Sequence, residues 1–279
     1  MPFVDLTLAR RLEMTHAWRS IHYARAQQKL QPDIESTIED IAGGYVIYAG
    51  AGAPQNRAVG LGLYRPIEED DLDFVEAFYE SCAMAPRIDV CPVGDGSLLE
   101  RLQERDYQLE SFYNVLVLDL DDEEFDVPPL YVKRKRRAKS PEVHISVADV
   151  EDSELWLRTV AAGFTEEEPP PDKEIEELAP NFFSSNATCF FAWLLDEPAG
   201  GGAMYEFDGA VELGGTSTRV SFRRRGVQTA LLNARLAAAQ ELGCDLAMSV
   251  TRPGSDSQRN MEKVGFQLAY TKAIMIKLD

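Results

Sequence analysis

The chain predicts an α/β (α+β) fold class arranged as two tandem domains, and three observations carry that expectation. Its 279 residues are more than one average domain needs, and an apolar content of 45% suffices for a core in each of two. Residues 121 to 141 read "DDEEFDVPPLYVKRKRRAKSP", an acidic run, prolines and a basic run with no apolar period, which is the text of a linker. Finally, "DYQLESFYNVLVLDL" (106 to 120) lies over "GFQLAYTKAIMIKLD" (265 to 279) at an offset of 159, pairing Tyr107 with Phe266, Gln108 with Gln267 and Leu109 with Leu268. The same offset sets the helical "SLLERLQER" (97 to 105) over "DSQRNMEKV" (256 to 264) and the apolar run at Ile88 to Cys91 over Ala247 to Val250. Internal duplication explains this order. The expected boundaries are a first domain over 1–124, a linker over 125–141 and a second domain over 142–279.

The second half reads element by element. Val143 to Val147 alternates as a strand does, and Ser153 to Phe164 reads as a helix with Ser153 as N-cap. The acidic "EEEPPPDKEIEELAP" leads into a second short helix. Thr188 to Leu195, Ala199 to Phe207 and Ala210 to Thr218 read as strands joined by "DEP" and "DG" turns. A helix runs from Gly226 to about Leu242, with Val227, Ala230, Leu231, Ala234 and Ala238 on one face and Gly243 closing it. Cys244 to Val250 is a strand, Ser255 to Val264 a helix and Phe266 to Leu278 a closing pair of strands. The order is β-α-α-β-β-β-α-β-α-β-β.

Composition narrows the function classes. Acids outnumber bases 47 to 28, for a formal net charge of −19, which argues against nucleic acid as a partner. The linker's "KRKRR" reads as a solvated connector. Three histidines and four scattered cysteines, with no C-x-x-C pair, suggest neither a metal site nor a disulfide framework. With no membrane-length apolar run and no signal-peptide core, a cytoplasmic protein that does not enter membranes is expected.

Against that acidic background, "STRVSFRRRGVQTALLNARLAAA" places Arg219, Arg223, Arg224 and Arg225 within seven positions, directly before Gly226 and a helix. Cationic side chains, free backbone N–H groups and the positive end of a helix dipole then converge at one point, which is an anion site. The Walker and dinucleotide phosphate motifs are both missing; what remains is R-x-x-G-x-G/A.

On these residues the sequence resembles the GNAT N-acetyltransferase superfamily, in its tandem-domain type with a degenerate N-terminal copy. Arg223, Gly226 and Gln228 match the family's phosphate motif, with Gln228 standing where Gly or Ala is usual. The topology read from Val143 onward fits as well. The resemblance implies two GNAT-like domains, each a mixed, mostly antiparallel sheet flanked by helices, with acetyl-CoA as co-substrate and no metal. It implies that Arg223, Arg224, Arg225, Gly226, Val227, Gln228 and Thr229 wrap the coenzyme pyrophosphate. Thr218, Arg219 and Val220, on a strand splayed by a bulge, would offer N–H groups to the pantetheine and the thioester carbonyl. Asn260 would be a further coenzyme contact.

The implied reaction is direct attack of an amine on the thioester. Glu212, six residues before Thr218, falls where the histone-acetyltransferase branch carries its general base. Met261 stands where the family usually has the tyrosine that protonates the leaving thiolate, so Tyr270, or else Tyr205, is the candidate general acid. The acceptor is expected to be a small-molecule amine or a peptide. The loop "EEEPPPDKEIEE", which borders the acceptor site in the family, would favour a cationic one. A non-catalytic acyl-CoA sensor is the alternative reading.

In the first copy, Arg224, Arg225 and Gly226 fall on Arg65, Pro66 and Ile67, and the next helix opens with the four acids Glu68 to Asp71. Carboxylates there satisfy the dipole themselves and repel a pyrophosphate. Residues 1–130 are therefore expected to fold or partly fold alone without binding the coenzyme.

Overall fold

A computed structural model describes residues 3–121 and 142–278. The linker expected over 125–141, with its basic run, lies outside the described residues. In chain order the first half holds α1 (Leu6–Leu30), β1 (Thr37–Ile41), β2 (Gly44–Tyr48), β3 (Arg57–Val59), α2 (Glu69–Ser81), β4 (Arg87–Val90), α3 (Ser97–Glu104) and β5 (Gln108–Asp119). The second holds β6 (His144–Val147), α4 (Ser153–Thr165), α5 (Asp172–Phe183), β7 (Ala187–Leu194), β8 (Glu197–Phe207) and β9 (Ala210–Thr218). After these come α6 (Val227–Glu241), β10 (Leu246–Thr251), α7 (Asp256–Glu262) and β11 (Gln267–Ile276). The expected order of strands and helices from Val143 is found, with one correction: the closing pair of strands is the single strand β11. Nothing between Gln267 and Ile276 can turn the chain, and β11 is paired along both of its edges, to β4 and to β5.

The chain divides into two compact units, one of Met1–Val117 with Met248–Asp279 and one of Leu118–Ala247. In the first, the strands run β1-β2-β3-β4-β11-β5. All pairs are antiparallel except β3 with β4, so the sheet is mixed. Its core is built on Leu72, Val75 and Tyr79 at the helical spacing of α2, with Ile67 just before that helix, Leu98 and Leu102 from α3 and Val46, Ala58 and Ile88 from the sheet. The strand that joins β4 to β5 is the last strand of the chain, the repeat counterpart of β5 itself. Residues 1–130 alone would lack this strand.

That strand is fastened by charge as well as by its ladder. Lys272 of β11, fully buried, places its Nζ 2.8 Å from Asp89 Oδ2 and 3.1 Å from Glu13 Oε2 of α1. Burial works against the ammonium, but the two carboxylates hold its pKa above the ordinary lysine value. Burial likewise opposes ionisation of Asp89, and Lys272, Arg57 and His16 outweigh it, so its pKa lies below the ordinary carboxylate value.

In the second unit the sheet is antiparallel, in the order β9-β8-β7-β6. Trp156, Val160 and Ala161 of α4 and Leu178 of α5 cover Cys189, Phe191, Ala203 and Tyr205 on one face. Trp156 also donates its indole N–H to the Phe190 carbonyl, at 3.0 Å. Among the described residues no helix is long and apolar enough to cross a membrane.

Candidate anion site at the start of helix α6

The arginine loop lies wholly within the second unit. β9 ends at Thr218, a short 3-10 turn covers Val220–Phe222, and the chain reaches α6 through Arg224 at φ 61 and Gly226 at φ 90. A side chain at Gly226 would meet nothing within 4 Å, so the glycine is required by its left-handed backbone rather than by space. No side chain caps α6, and its first turn, Val227, Gln228 and Thr229, carries no acid. The first N–H groups of the helix therefore keep their donors for another partner, beside a positive dipole end.

The guanidinium groups around this turn are held by a segment distant in sequence. Arg219 pairs with both oxygens of Glu168, at 2.8 and 2.7 Å, and donates to the Pro198 carbonyl at 2.9 Å. Its hydrogen bonds keep the Glu168 carboxyl below the ordinary value. Arg223 donates to Glu166 at 2.6 Å and to the carbonyls of Gly163 and Thr218 at 3.0 and 3.3 Å. Gly163 is needed there: a Cβ would collide with the side chain of Ser217, whose hydroxyl donates to the Val160 carbonyl at 2.7 Å. Arg224 and Arg225 are exposed, and the Phe222 ring carries Arg219 at 5.3 Å and Arg225 at 5.8 Å from its centroid.

The irregularity of β9 falls earlier than Thr218 to Val220. The pairing with β8 shifts between Ala203↔Gly214 and Gly201↔Ser217, with Gly215 at φ 54, whereas Thr218 is still paired to Gly200. The Arg219 N–H is spent on the Ala199 carbonyl, at 3.0 Å. This bulge is braced from α6 by Arg235, fully buried, whose guanidinium donates to the Ala203 carbonyl at 3.0 Å and to Thr216 Oγ1 at 2.6 Å. Burial lowers its pKa to about 10. Sequence reasoning passed over Arg235 and the Glu166 and Glu168 pairings. The signal for the first was a lone charge among the alanines and leucines of α6.

The other expected site residues are distributed as follows. Glu212 is fully buried on β9, directly across from Tyr205, whose hydroxyl donates to Asn181 of α5 at 3.1 Å. Directly opposed residues share a sheet face, so Glu212 belongs to the side covered by α4 and α5. Tyr270 and Asn260 belong to the other compact unit. There the Tyr270 hydroxyl is buried and donates to Glu13 at 2.8 Å, and burial and the Glu13 charge raise its pKa well above that of an ordinary phenol. Asn260 is half-buried on α7, beside the buried Met261.

The same turn of the first copy is built differently. Arg65 makes a two-pronged pair with Asp71 in the first turn of α2, at 2.7 and 2.6 Å, and Asp71 also accepts from the Glu68 N–H at 2.8 Å. Glu69 and Asp70 complete an acidic first turn.

Residues 154–266 match the family model described as Acetyltransferase (GNAT) family. Among solved structures, the chain is similar to a GCN5-related N-acetyltransferase from Kribbella flavida, at 17% identity and a TM-score of 0.63 over 94% of this chain and 96% of that one. It is similar to a tandem GNAT protein from the clavulanic acid biosynthesis pathway, at 13% identity and a TM-score of 0.60 over 84% and 78%. A conserved protein of unknown function from Bacteroides thetaiotaomicron, at 11% identity, gives a TM-score of 0.58 over 99% of each chain. At these identities the likeness is one of fold. No curated protein matches.

Proposed function

We propose, from the match of residues 154–266 to the GNAT acetyltransferase family model, that the protein is an N-acetyltransferase using acetyl-CoA as donor and a small-molecule or peptide amine as acceptor. The observation that carries this reading is the start of α6, where an acid-free first turn meets Arg219, Arg223, Arg224 and Arg225. A coenzyme diphosphate placed there would accept from the N–H groups of Val227, Gln228 and Thr229 and exchange Glu166 for itself on Arg223. The exchange is favourable because a diphosphate offers more charge and more acceptor oxygens than one carboxylate. The bulge at Gly214–Ser217, stiffened by Arg235, would aim backbone donors toward the thioester carbonyl as charge develops on it.

A protonated amine cannot attack until it loses a proton, and Glu212 is the carboxylate on the strand leading to this turn. Buried as it is, it would take that proton through an intervening water rather than by direct contact. Tyr270 is the proposed acid for the thiolate; its raised pKa makes it a reluctant donor, so a thiolate released directly to solvent fits the chemistry equally. Asn260 stays a proposed coenzyme contact, and the acceptor class and the intracellular setting follow from the same reading.

Thiol release from acetyl-CoA, screened over small amines and peptide N-termini, tests the proposal. Glu212→Gln should hold coenzyme affinity while lowering turnover by about 10²- to 10⁴-fold, the deficit shrinking at high pH where the amine deprotonates unaided. No thiol release with any acceptor, alongside tight coenzyme binding, would replace the transferase by a sensor.

A further inference from the structure

The first compact unit contains a cleft of about 160 Å³ that belongs neither to the arginine loop nor to the start of α2. It is walled by His16, Arg19 and Ser20 of α1, Gln55 and Arg57 at the entry to β3, and Tyr113 of β5. In a chain with 47 acids, none of the described residues lining this cleft is a carboxylate. The two acids behind it are already answered: Asp89 and Glu13 share the ammonium of Lys272, and Arg57 stands 3.6 Å from Asp89. Arg57 is oriented further by donating to the Pro54 carbonyl at 2.6 Å. Two arginines and two hydroxyl-bearing residues therefore line a cleft with no carboxylate in its described wall.

Gln55 adds a different demand. It is only 8% exposed, and its Oε1 accepts no hydrogen bond from any described residue. A buried acceptor left unpaired is costly, so a ligand seated here gains by offering it an O–H or N–H. An ammonium would face Arg19 and Arg57, which leaves a hydroxyl as the fitting donor. A cavity of about 150 Å³ holds a benzene-sized molecule. We propose that this cleft binds a small hydroxycarboxylate of about six to nine non-hydrogen atoms, its carboxylate on Arg19 and Arg57 and its hydroxyl on Gln55.

The experiment is calorimetry on the full chain with lactate and malate, and with propionate and succinate as counterparts lacking the hydroxyl, with and without acetyl-CoA. One saturable site is expected for a hydroxycarboxylate, with a Kd below about 1 mM and no competition from acetyl-CoA. Arg19→Gln should weaken it about tenfold or more, and Arg19→Lys less. Gln55→Leu should bring the hydroxycarboxylate down to its counterpart's affinity while leaving the counterpart unchanged, with circular dichroism confirming that each variant is folded. No saturable heat with any of the four acids up to about 10 mM, or equal affinity in parent, Arg19→Gln and Gln55→Leu, would overturn the proposal. The outcome is independent of the transferase reading, because Arg223→Ala/Arg225→Ala leaves this cleft intact.

Discussion

The turn that opens α2 and the turn that opens α6 stand at the same place in two copies of one plan, and they spend their arginines in opposite ways. At α2 the counter-charge is local: Arg65 grips Asp71 six residues on, and the helix start is acidic throughout. At α6 the first turn has no acid, and the carboxylates that meet Arg219 and Arg223 come from the segment after α4, more than fifty residues back. A counter-charge built into the turn fills the anion position permanently. One supplied by a separate loop can leave without disturbing the helix. Exposed pairs of this kind contribute little to stability, so little is lost when an anion displaces them.

The comparison assumes that the first copy is a finished fold, and β11 finishes it. Lys272→Met in the full chain leaves Asp89 and Glu13 buried without their shared cation, which should cost about 3 to 5 kcal/mol in denaturant unfolding of the first unit. An unchanged midpoint would mean that the exchanged strand is held by its ladder alone.

Making the second turn resemble the first should have a smaller but specific effect. Gln228→Glu with Thr229→Asp sets two carboxylates at the dipole end of α6 and should weaken acetyl-CoA binding by about 2 to 3 kcal/mol with thermal stability preserved. Retained affinity would show that the acids of α2 are not what distinguishes the copies.

The smallest effect concerns pH. The hydrogen bonds from Arg65 hold the Asp71 carboxyl below its ordinary value. The pair therefore contributes stability above about pH 4 and loses it as the pH falls through the lowered pKa. Asp71→Asn should unfold with a shallower acid-side slope than the parent in melts between about pH 5 and pH 2, since that carboxyl no longer takes up a proton on unfolding. Identical slopes would place the acid sensitivity at Asp89 instead.

What the sequence made legible here was local. The turn residues around Asp196 and Gly209 and the alanine- and leucine-rich run of α6 announce themselves within a few positions, and so does the arginine-to-glycine step. The carboxylate partners at Glu166 and Glu168 were read only as part of an acidic loop, because which arginine they reach depends on how α4 lies along β9. The repeat offset equated β11 with β5 but could not say which strands β11 would join, since both copies offer the same pairing edge. Buried Arg235 and Lys272 were unreadable for a related reason: a charge amid apolar residues signals a buried partner without naming it.

Calorimetric titration of acetyl-CoA into the parent chain, Arg65→Ala and Arg223→Ala/Arg225→Ala tests the central claim most directly. The account predicts one site per chain, unchanged in Arg65→Ala and weakened by at least about 2 kcal/mol in the double variant. Two sites per chain, or parent-like affinity in the double variant, would contradict it.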